Sequence, residues 1–441
     1  MSFPRYGAYK DSGVKWLGEV PAHWMTPPLY MRYTSDLGKM LDASRITGDH
    51  SIPYLRNIDV QWGVISFEDL PEMDINPSEY PRYTIKPGDL MVCEGGEVGR
   101  AAIVPDTGAV IGFQKALHRL RSLGDSEHPG FMYYTLAWAS AYGVFSLSGM
   151  STIAHLTGEQ LRKYRFPKPP LAEQTAIAIF LDRETAKIDE LVAEQRNLIA
   201  LLKEKRQALI SHAVTKGLDP AAPMKDSGVE WLGEVPAHWA MTRLRVLFRQ
   251  EKRQDQVGKC VLSVYRDYGV VLKESRDDNM NKTPEDLSAY QLVNPNDLVV
   301  NKMKAWQGSL GISDFEGITS PDYIVFAPRH RECPAFLHLL LRSARMVTVY
   351  RSVSNGIRPA QWRLEPDLFL RLPIFLPPVH EQRDLVSSTT ERTSRFDILS
   401  GEAEATIALL QERRTALISA AVTGKIDVRT TINQELTELA A

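Results

Sequence analysis

Residues 10–24 read KDSGVKWLGEVPAHW, and residues 225–239 read KDSGVEWLGEVPAHW. Fourteen of the fifteen positions are identical, and only Lys15 and Glu230 differ. Chance does not produce such an identity in 441 residues, so the chain contains a tandem duplication. Its period is far longer than the repeats of about 20–50 residues that build solenoids. Two copies in one chain indicate a pseudo-two-fold molecule that recognises a target of two-fold character or holds two identical partners.

Further segments repeat at one constant offset of 208 residues. They are PPLAEQ at 169–174 with PPVHEQ at 377–382, KEKRQALISHAVTKGLD at 203–219 with QERRTALISAAVTGKID at 411–427, and PGDLMV at 87–92 with PNDLVV at 295–300. The two halves therefore share one plan. A short amphipathic opening is followed by a globular region, a Pro-Pro step and a long helix.

This plan divides the chain into five segments. They are a first globular region at 1–168, a first long helix at 169–218, a second globular region at 219–376, a second long helix at 377–428 and a C-terminal tail at 429–441. The globular regions are rich in Gly, Pro and short β-like runs such as LMV at 90–92 and YIVF at 323–326. Each also has a helix candidate, at 130–142 and 334–351. Such a mixture predicts an α+β fold.

Both long helical segments carry an apolar stripe. In the first it comprises Ile177, Leu181, Ile188, Leu191, Leu198, Leu202 and Leu209, with polar Glu184, Gln195 and Lys205 at intervening positions; in the second it comprises Leu385, Phe396, Leu399, Ala403, Leu410 and Leu417. Steps of three and four residues indicate a heptad pattern. A helix of about 40 residues, about 60 Å long, needs a partner for such a stripe. We expect the two helices to pair as a coiled coil; the alternative is that each packs on its own globular region.

Composition limits the class of protein. Apolar residues make up 44% and charged residues 24%, which is typical of a soluble globular protein of two to four domains. The net charge of −2 neither indicates nor excludes nucleic-acid binding, since a local basic face can lie within a neutral total. The cysteines, Cys93, Cys260 and Cys333, are scattered, so a reducing cytoplasm is expected. There is no apolar signal core at the N-terminus and no run of 18 apolar residues, so we expect no membrane association.

Motifs for catalysis are weak. There is no GxxxxGK[ST] phosphate loop, and the glycines at 95–99 lack the strand–turn–helix frame of a dinucleotide site. Residues 76–80, NPSEY, only half-resemble the Asn/Asp-Pro-Pro-aromatic motif of adenine methyltransferases, and no cofactor motif precedes them. No His/Cys cluster has zinc spacing. We therefore expect no catalysis, cofactor or metal site, and we interpret His23 and His238 of the two Pro-Ala-His-Trp repeats as structural.

Several of these segments resemble a known family. SGMSTIAHLTGEQLRKYRFPKPPLAEQ at 148–174 resembles the end of a target recognition domain of a type I restriction-modification specificity (S) subunit. NKMKAWQGSLGIS at 301–313 and GITSPDYIVF at 317–326 resemble a second such domain. The resemblance covers nearly the whole chain, although residues 25–80 contain no close motif.

The resemblance implies a fold and a function. Two target recognition domains would alternate with two long helices that pair as an antiparallel coiled coil. Each domain would read one half of a split target in double-stranded DNA. The helices would set the spacing and dock two DNA methyltransferase (M) subunits, which motor-nuclease (R) subunits would join. The runner-up is a coiled-coil scaffold that joins partner proteins without reading DNA.

DNA contacts are expected in the irregular loops of both domains. Residues 301–308 interleave cations, amides and an aromatic, so that Lys can reach a phosphate and Gln an adenine edge. The alternative is a solvated loop in which Trp306 is buried. The expected DNA-binding residues are Lys302, Lys304, Trp306, Gln307, Ser320, Asp322, Tyr323, Asn355 and Arg358 in the second domain, and Glu94, Arg100, Gln114, Lys115, Ser151 and Thr152 in the first.

Overall fold

The computed structural model describes residues 3–41, 47–146, 155–256, 258–276, 283–356 and 362–429. The chain divides into two compact units. Unit 1 comprises Met1–Glu194 and Ala405–Ala441, and unit 2 comprises Gln195–Glu404. Each unit therefore contains one globular region and a part of each long helix.

Unit 1 mixes short strands with helices. Its strands are β1 (Tyr9–Asp11), β2 (Glu19–Pro21), β3 (Tyr33–Leu37), β4 (Ser51–Leu55), β5 (Val60–Gln61), β6 (Val64–Ile65), β7 (Glu72–Asp74), β8 (Leu90–Cys93), β9 (Ala101–Ile103), β10 (Gly112–Phe113) and β11 (Leu117–Ser122). Its helices are α1 (Tyr80–Tyr83), α2 (Pro129–Ala141), α3 (Gly158–Lys163) and the first half of α4 (Leu171–Lys216).

Unit 2 has the same kind of composition. Its strands are β12 (Met224–Asp226), β13 (Glu234–Pro236), β14 (Ala240–Arg243), β15 (Phe248–Glu251), β16 (Leu262–Tyr265), β17 (Gly269–Leu272), β18 (Gln291–Val293), β19 (Leu298–Asn301), β20 (Leu310–Ile312), β21 (Gly317–Thr319), β22 (Tyr323–Pro328), β23 (Ser354–Asn355), β24 (Arg363–Leu364) and β25 (Pro373–Leu376). Its helices are α5 (Leu244–Leu247), α6 (Pro334–Leu341), α7 (Ala344–Ser352), α8 (Pro366–Leu370) and the first part of α9 (Val379–Val422). The rest of α4 also belongs to unit 2, and the rest of α9 belongs to unit 1.

A four-stranded antiparallel sheet with one strand order lies at the centre of both units. The order is β3-β11-β8-β9 in unit 1 and β15-β22-β19-β20 in unit 2. Strand β8 is buried on both faces: Leu90 and Val92 belong to one apolar cluster, and Met91 and Cys93 belong to another. Successive side chains of a strand point to opposite faces of the sheet, so β8 contributes to an apolar core on each face. The strands expected at 90–92 and 323–326 are confirmed, and the duplication extends into the interiors where the two sequences differ.

The 15-residue repeat forms the same hairpin in each unit. Strand β1 pairs with β2, and β12 pairs with β13, in the same register. The hairpin ends in a tryptophan whose side chain is fully buried, Trp24 in unit 1 and Trp239 in unit 2. The near-identity of the repeat therefore corresponds to a shared packing role against each core.

A glutamate at the start of each long helix receives the His-Trp pair of this repeat. In unit 1, His23 Nε2 lies 2.7 Å from Glu173 Oε1, and Trp24 Nε1 donates to Glu173 Oε2 at 3.0 Å. In unit 2, His238 and Trp239 contact Glu381 at 2.7 and 3.1 Å. His23 and His238 thus make the structural contacts that the sequence predicted.

The next residue, a glutamine, ties the long helix to the globular region. Gln174 Oε1 accepts from the backbone N–H of His128, just before α2, at 2.9 Å, and its amide donates to Ser126 O and Pro169 O. Gln382 repeats this in unit 2, accepting from Cys333 N at 2.9 Å and donating to Pro377 O. Both glutamines are fully buried. We call each Glu-Gln pair with these partners a Glu-Gln clamp.

Identical ion pairs join the two long helices within each unit. Arg414 Nε of α9 lies 3.0 Å from Asp189 Oδ1 of α4 in unit 1. In unit 2, Arg206 Nε of α4 lies 3.1 Å from Asp397 Oδ1 of α9. Residues 189 and 397, like 206 and 414, are related by the offset of 208. Such exposed pairs contribute at most about 1 kcal/mol each, but they show the same helix contact made twice.

The apolar stripe of the helices is only partly as expected. The buried positions include Ile177, Leu181, Thr185, Ile188, Val192, Leu202, Ile210 and Ala213 on α4, and Leu385, Thr389, Thr393, Ala403, Ile418 and Ala421 on α9. The assignment of Leu191, Leu198 and Leu399 to the buried stripe is wrong, because these side chains are 41–45% exposed. A helix with 3.6 residues per turn drifts by about 20° per heptad from a strict 3.5-residue repeat. The buried line therefore moves to the neighbouring position. No described helix is long and apolar enough to span a membrane.

The single helix predicted at 334–351 is also wrong. Two helices, α6 and α7, occupy this range, because Ser343 adopts an extended conformation with ψ of 149°. The Tyr350 hydroxyl donates to Leu341 O at 2.7 Å and so satisfies a carbonyl at the end of α6. Arg342 donates to Leu310 O and Arg266 O. The break is thus fixed by tertiary contacts. The helix predicted at 130–142 is confirmed as α2.

Replacing Gln174 by Leu tests the Glu-Gln clamp of unit 1. The substitution leaves one backbone N–H and two carbonyls without their buried partner, so we expect the free energy of unfolding to fall by about 3 kcal/mol. Gln411→Leu, at an exposed position of α9, is the matched control and should change it by less than about 0.5 kcal/mol. Denaturant unfolding followed by circular dichroism measures both. Equal effects of the two substitutions would contradict a structural role for the clamp.

Candidate nucleic-acid interface

Three loops of unit 1 meet at the end of the central strand β8. Glu94 follows this strand directly, and its N–H donates to Ala116 O at 3.1 Å. The N–H of Leu156 donates to Glu94 O at 2.8 Å. These two backbone bonds join the loop after β8, the loop before β11 and the segment before α3. We call this junction the strand-end site of unit 1.

Unit 2 builds the same junction at the end of β19. Lys302 follows that strand, and its N–H donates to Asp322 O at 3.0 Å. The N–H of Leu364 donates to Lys302 O at 2.9 Å. The strand-end site of unit 2 is therefore equivalent, bond for bond, to that of unit 1. Lys302 stands where Glu94 stands, at an offset of 208 residues.

The strand-end site of unit 1 surrounds an open cavity. Its lining residues are Leu41, Glu94, Gln114, Lys115, Ala116 and His155. Within the described part of the chain, the side chains of Glu94, Gln114 and Lys115 form no hydrogen bond or ion pair. The structure thus brings three of the sequence-predicted residues together, with a carboxylate, an amide and an ammonium group facing one space. Such groups can pair with the donors and acceptors of a polar ligand.

Arg100 makes structural contacts in unit 1, and its contact with DNA stays a prediction. Its guanidinium donates to Asn57 Oδ1 at 2.8 Å and to Asn57 O at 3.0 Å. The Asn57 amide in turn donates to Gly95 O and Ala116 O, both at 3.3 Å. Arg100 and Asn57 therefore hold together the loop after β8 and the loop before β11 by hydrogen bonds. Ser151 and Thr152, also predicted, lie outside the described residues.

In unit 2, the sequence-predicted DNA-binding residues between 302 and 323 lie on or next to two loops of the strand-end site. One loop connects β19 to β20, and the other connects β21 to β22. Lys302 Nζ donates to Pro321 O at 2.7 Å, which ties the two loops together. Lys304, Gln307 and Asp322 are exposed. Ser320 is half-buried, and burial raises the pKa of Tyr323, the first residue of β22. Among the described residues of these two loops, the exposed side chains therefore include a cation, an amide and a carboxylate.

Trp306 lies on the first of these loops, between β19 and β20. Its indole N–H donates to Met303 O at 3.0 Å, and its ring meets the edge of Trp362 at 5.5 Å between centroids. The Arg351 guanidinium lies 5.9 Å from the centre of the same ring. Trp306 is half-buried, and its indole N–H is already engaged by Met303 O. Its contact with DNA stays a prediction.

Asn355 lies on β23, whose partner strand β24 contains Leu364. Asn355 is exposed and pairs with Arg363 in the small β23–β24 ladder. Arg358 lies outside the described residues. Arg363 itself was missed by the sequence analysis, as was His155, its counterpart in unit 1. The offset of 208 relates these two residues, because Leu156 and Leu364 each follow them and make the same backbone bond.

Buried His118 fixes the third loop of unit 1. Its Nε2 lies 2.9 Å from Leu156 O, so this nitrogen carries the hydrogen and donates to the carbonyl. The ring is 1% exposed, and burial lowers its pKa below the ordinary value of 6.5. The folded protein therefore holds His118 neutral. Through Leu156, the ring helps to keep the loop against Glu94.

The fold shows no sign of a metal centre in its described part, where no group of three or more His, Cys, Asp or Glu side chains is arranged to hold an ion. The strand-end sites are therefore the polar sites to which the predicted residues contribute.

Part of the chain matches a family model. Residues 38–201 match the type I restriction modification DNA specificity domain. Over 134 residues the chain is 31% identical to the type I restriction enzyme EcoBI specificity subunit of Escherichia coli, an alignment that covers 30% of this chain and 27% of that protein. Over 176 residues it is 23% identical to the putative type I restriction enzyme MjaX specificity subunit of Methanocaldococcus jannaschii, covering 39% and 40%. These alignments thus span less than half of either relative.

The fold is shared more widely than the sequence. A chain from a solved structure on complex assembly and conformational transition of the type I R-M system matches with a TM-score of 0.61. The match covers 91% of this chain and 98% of that chain, at 16% identity. The resemblance to type I restriction-modification specificity subunits, first seen in sequence motifs, is confirmed.

A pH titration tests the role of His118 at the strand-end site. Because its pKa is lower in the folded than in the unfolded chain, the unfolded chain takes up the proton first as pH falls below about 6.5. We expect the free energy of unfolding of the wild type to decline there relative to His118→Gln, which keeps an N–H donor but does not titrate. Denaturant unfolding between pH 5 and 8 measures this difference. Parallel curves for the two proteins would contradict it.

Proposed function

We propose that this chain, which resembles type I restriction-modification specificity subunits, is the DNA-recognition subunit of such a complex. Each recognition domain would read one half of a split double-stranded target. The chain would supply no catalysis, which would come from the two methyltransferase subunits and the motor-nuclease subunits that it holds. The observation that carries this proposal is the strand-end site, which is built twice on one backbone with different side chains.

The duplicated backbone supports recognition of two half-sites. Glu94 and Lys302 have the same hydrogen-bonded surroundings but opposite charge. A site that had to bind one ligand twice would keep its polar groups in both copies. A site that reads two different sequences must change them, because each base pair presents its own pattern of donors and acceptors in the major groove.

The residue types at these sites suit DNA. Exposed Lys115 and Lys304 can neutralise phosphates. Gln114 and Gln307 can pair with adenine, whose edge offers an acceptor and a donor side by side. Near each cation lies an amide or a carboxylate, so phosphate contacts and base contacts are available in the same loop. This is the division of roles found in sequence-specific DNA interfaces.

The contacts of the long helices support a fixed spacing between the half-sites. The ion pairs Asp189–Arg414 and Arg206–Asp397 are those of an antiparallel pair of helices. In unit 1, Glu173 near the start of α4 lies 3.4 Å from Arg429, just beyond the end of α9, whereas Asp189 further along α4 contacts the earlier residue Arg414. The two helices therefore run in opposite directions. An antiparallel pair would give the two recognition domains opposite orientations, which suits the two-fold symmetry of the DNA backbone. The paired helices would also offer the surface on which methyltransferase subunits dock.

Reconstitution with methyltransferase subunits tests this function. The purified chain alone should not methylate DNA, whereas its complex with the methyltransferase subunits of the same type I system should methylate one split sequence. Sequencing of methylated bases in plasmid DNA incubated with methyl donor measures the outcome. The methyltransferase subunits without this chain are the control and should show no sequence-specific methylation.

Two outcomes would contradict the proposal. Methyl transfer by the chain alone would show that it is an enzyme. Stable binding of the methyltransferase subunits without any sequence preference would favour a scaffold that joins proteins and does not read DNA.

A further inference from the structure

We propose that Glu94 and Lys302 read bases of opposite chemistry in the two half-sites. Glu94 would accept a hydrogen bond from the exocyclic amino group of an adenine or a cytosine. Lys302 would donate to the O6 or N7 of a guanine or to the O4 of a thymine. This inference rests on the proposed function, and it adds the class of base that each domain selects at one position.

The first support is that the two residues occupy one place in the fold. Each follows a central strand of its sheet, β8 or β19, and donates its N–H to the residue just before the neighbouring strand of that sheet, β11 or β22. Each carbonyl accepts from Leu156 or Leu364. A further bond is common to both: the N–H of Leu117 donates to Gln114 O, and that of Tyr323 donates to Ser320 O, each at 3.0 Å. The side chains at 94 and 302 therefore leave the backbone from equivalent positions and would meet equivalent base pairs.

The second support is that the Glu94 side chain has no structural task among the described residues. Its backbone holds the loops, while its carboxylate lines the open cavity with Gln114 and Lys115. Glu97, three residues on, is different, since its carboxylate accepts from Trp62 Nε1 and lies 3.8 Å from Arg100. A half-exposed carboxylate that bonds to no other side chain in the described parts of the chain can accept from a ligand.

The third support is electrostatic. A carboxylate at a DNA interface is repelled by phosphates, so its favourable position is opposite a hydrogen-bond donor on a base. In the major groove those donors are the N4 amino group of cytosine and the N6 amino group of adenine. Guanine and thymine present acceptors there and would face Glu94 with unpaired lone pairs.

Lys302 has the complementary capacity. An ammonium group has three donors, and Pro321 O takes one of them at 2.7 Å. The remaining donors can reach acceptors, which guanine offers at O6 and N7 and thymine at O4. The bond to Pro321 holds the long side chain in one direction, so less conformational entropy is lost when it contacts a base.

The experiment uses the full chain in complex with its methyltransferase subunits. Selection from a randomised DNA duplex library first gives the split sequence that the wild-type complex prefers. Within each half-site, every adenine is then replaced in turn by purine, and every cytosine by 2-pyrimidinone, so that only the amino group is lost. Dissociation constants of these duplexes are measured for the wild type and for Glu94→Ala, Lys302→Met and Glu68→Ala.

We expect one amino group, in one half-site, whose loss weakens wild-type binding at least about fivefold but does not weaken the Glu94→Ala complex further. Such non-additivity identifies a direct pair. Lys302→Met should relax selection only in the other half-site, at a guanine or a thymine. Glu68 is an exposed carboxylate outside the cavity, and Glu68→Ala should behave as the wild type.

The unchanged half-site serves as an internal control for folding in each variant. The inference is overturned if the loss of every amino group weakens the wild type and Glu94→Ala equally, or if both substitutions affect the same half-site. In either case the wild type would still select a split sequence, and the proposed function would stand. If the wild-type complex selects no sequence at all, the proposed function itself fails.

Discussion

A glutamate in the first turn of each long helix makes the contacts on which the rest of the structure depends. Glu173 and Glu381 each contact an imidazole nitrogen and accept from an indole N–H of the opening repeat. The glutamine that follows each of them binds backbone groups of its globular region. The buried indole N–H of Trp24 or Trp239 needs an acceptor, and the carboxylate supplies one in a charge-assisted hydrogen bond. Each Glu-Gln clamp therefore fixes three segments, distant in sequence, at one point.

This constraint explains where the sequence repeats and where it differs. The hairpin, the clamp and the helix ends must fit each other, so the same residues occur in both halves. The strand-end sites differ from this pattern. Their backbone hydrogen bonds occur in both units, but their side chains are not the same. Because those bonds use only main-chain atoms, Glu94 and Lys302 can differ in charge without disturbing the loops that carry them. A duplicated frame with exchangeable side chains is suited to reading two unlike sequences.

The sequence predicted much of this frame and less of the site. The strands at 90–92 and 323–326, the helix α2 and both long helices follow from apolar runs and periodicity, which are local signals. The break at Ser343 could not be predicted, because it depends on Tyr350 and Arg342 reaching distant carbonyls. The role of Asn57 could not be predicted, because its side-chain amide bonds to backbone carbonyls of distant loops and such contacts produce no sequence motif. His155 and Arg363 could have been found, since the offset of 208 relates them.

The spacing of the half-sites is the most direct measure of the proposed function. Seven residues inserted after Ala193 and seven after Gly401 would lengthen both helices by about 10 Å while keeping the heptad register. Insertion of seven residues after Thr107, in an exposed loop, is the control. Methylation mapping of the reconstituted complex should then yield the same two half-sites with a spacer about three base pairs longer, or loss of specific binding, since the half-sites also rotate by roughly a third of a turn. A folded double-insertion protein that methylates the original target with its original spacing would contradict the role of the helices.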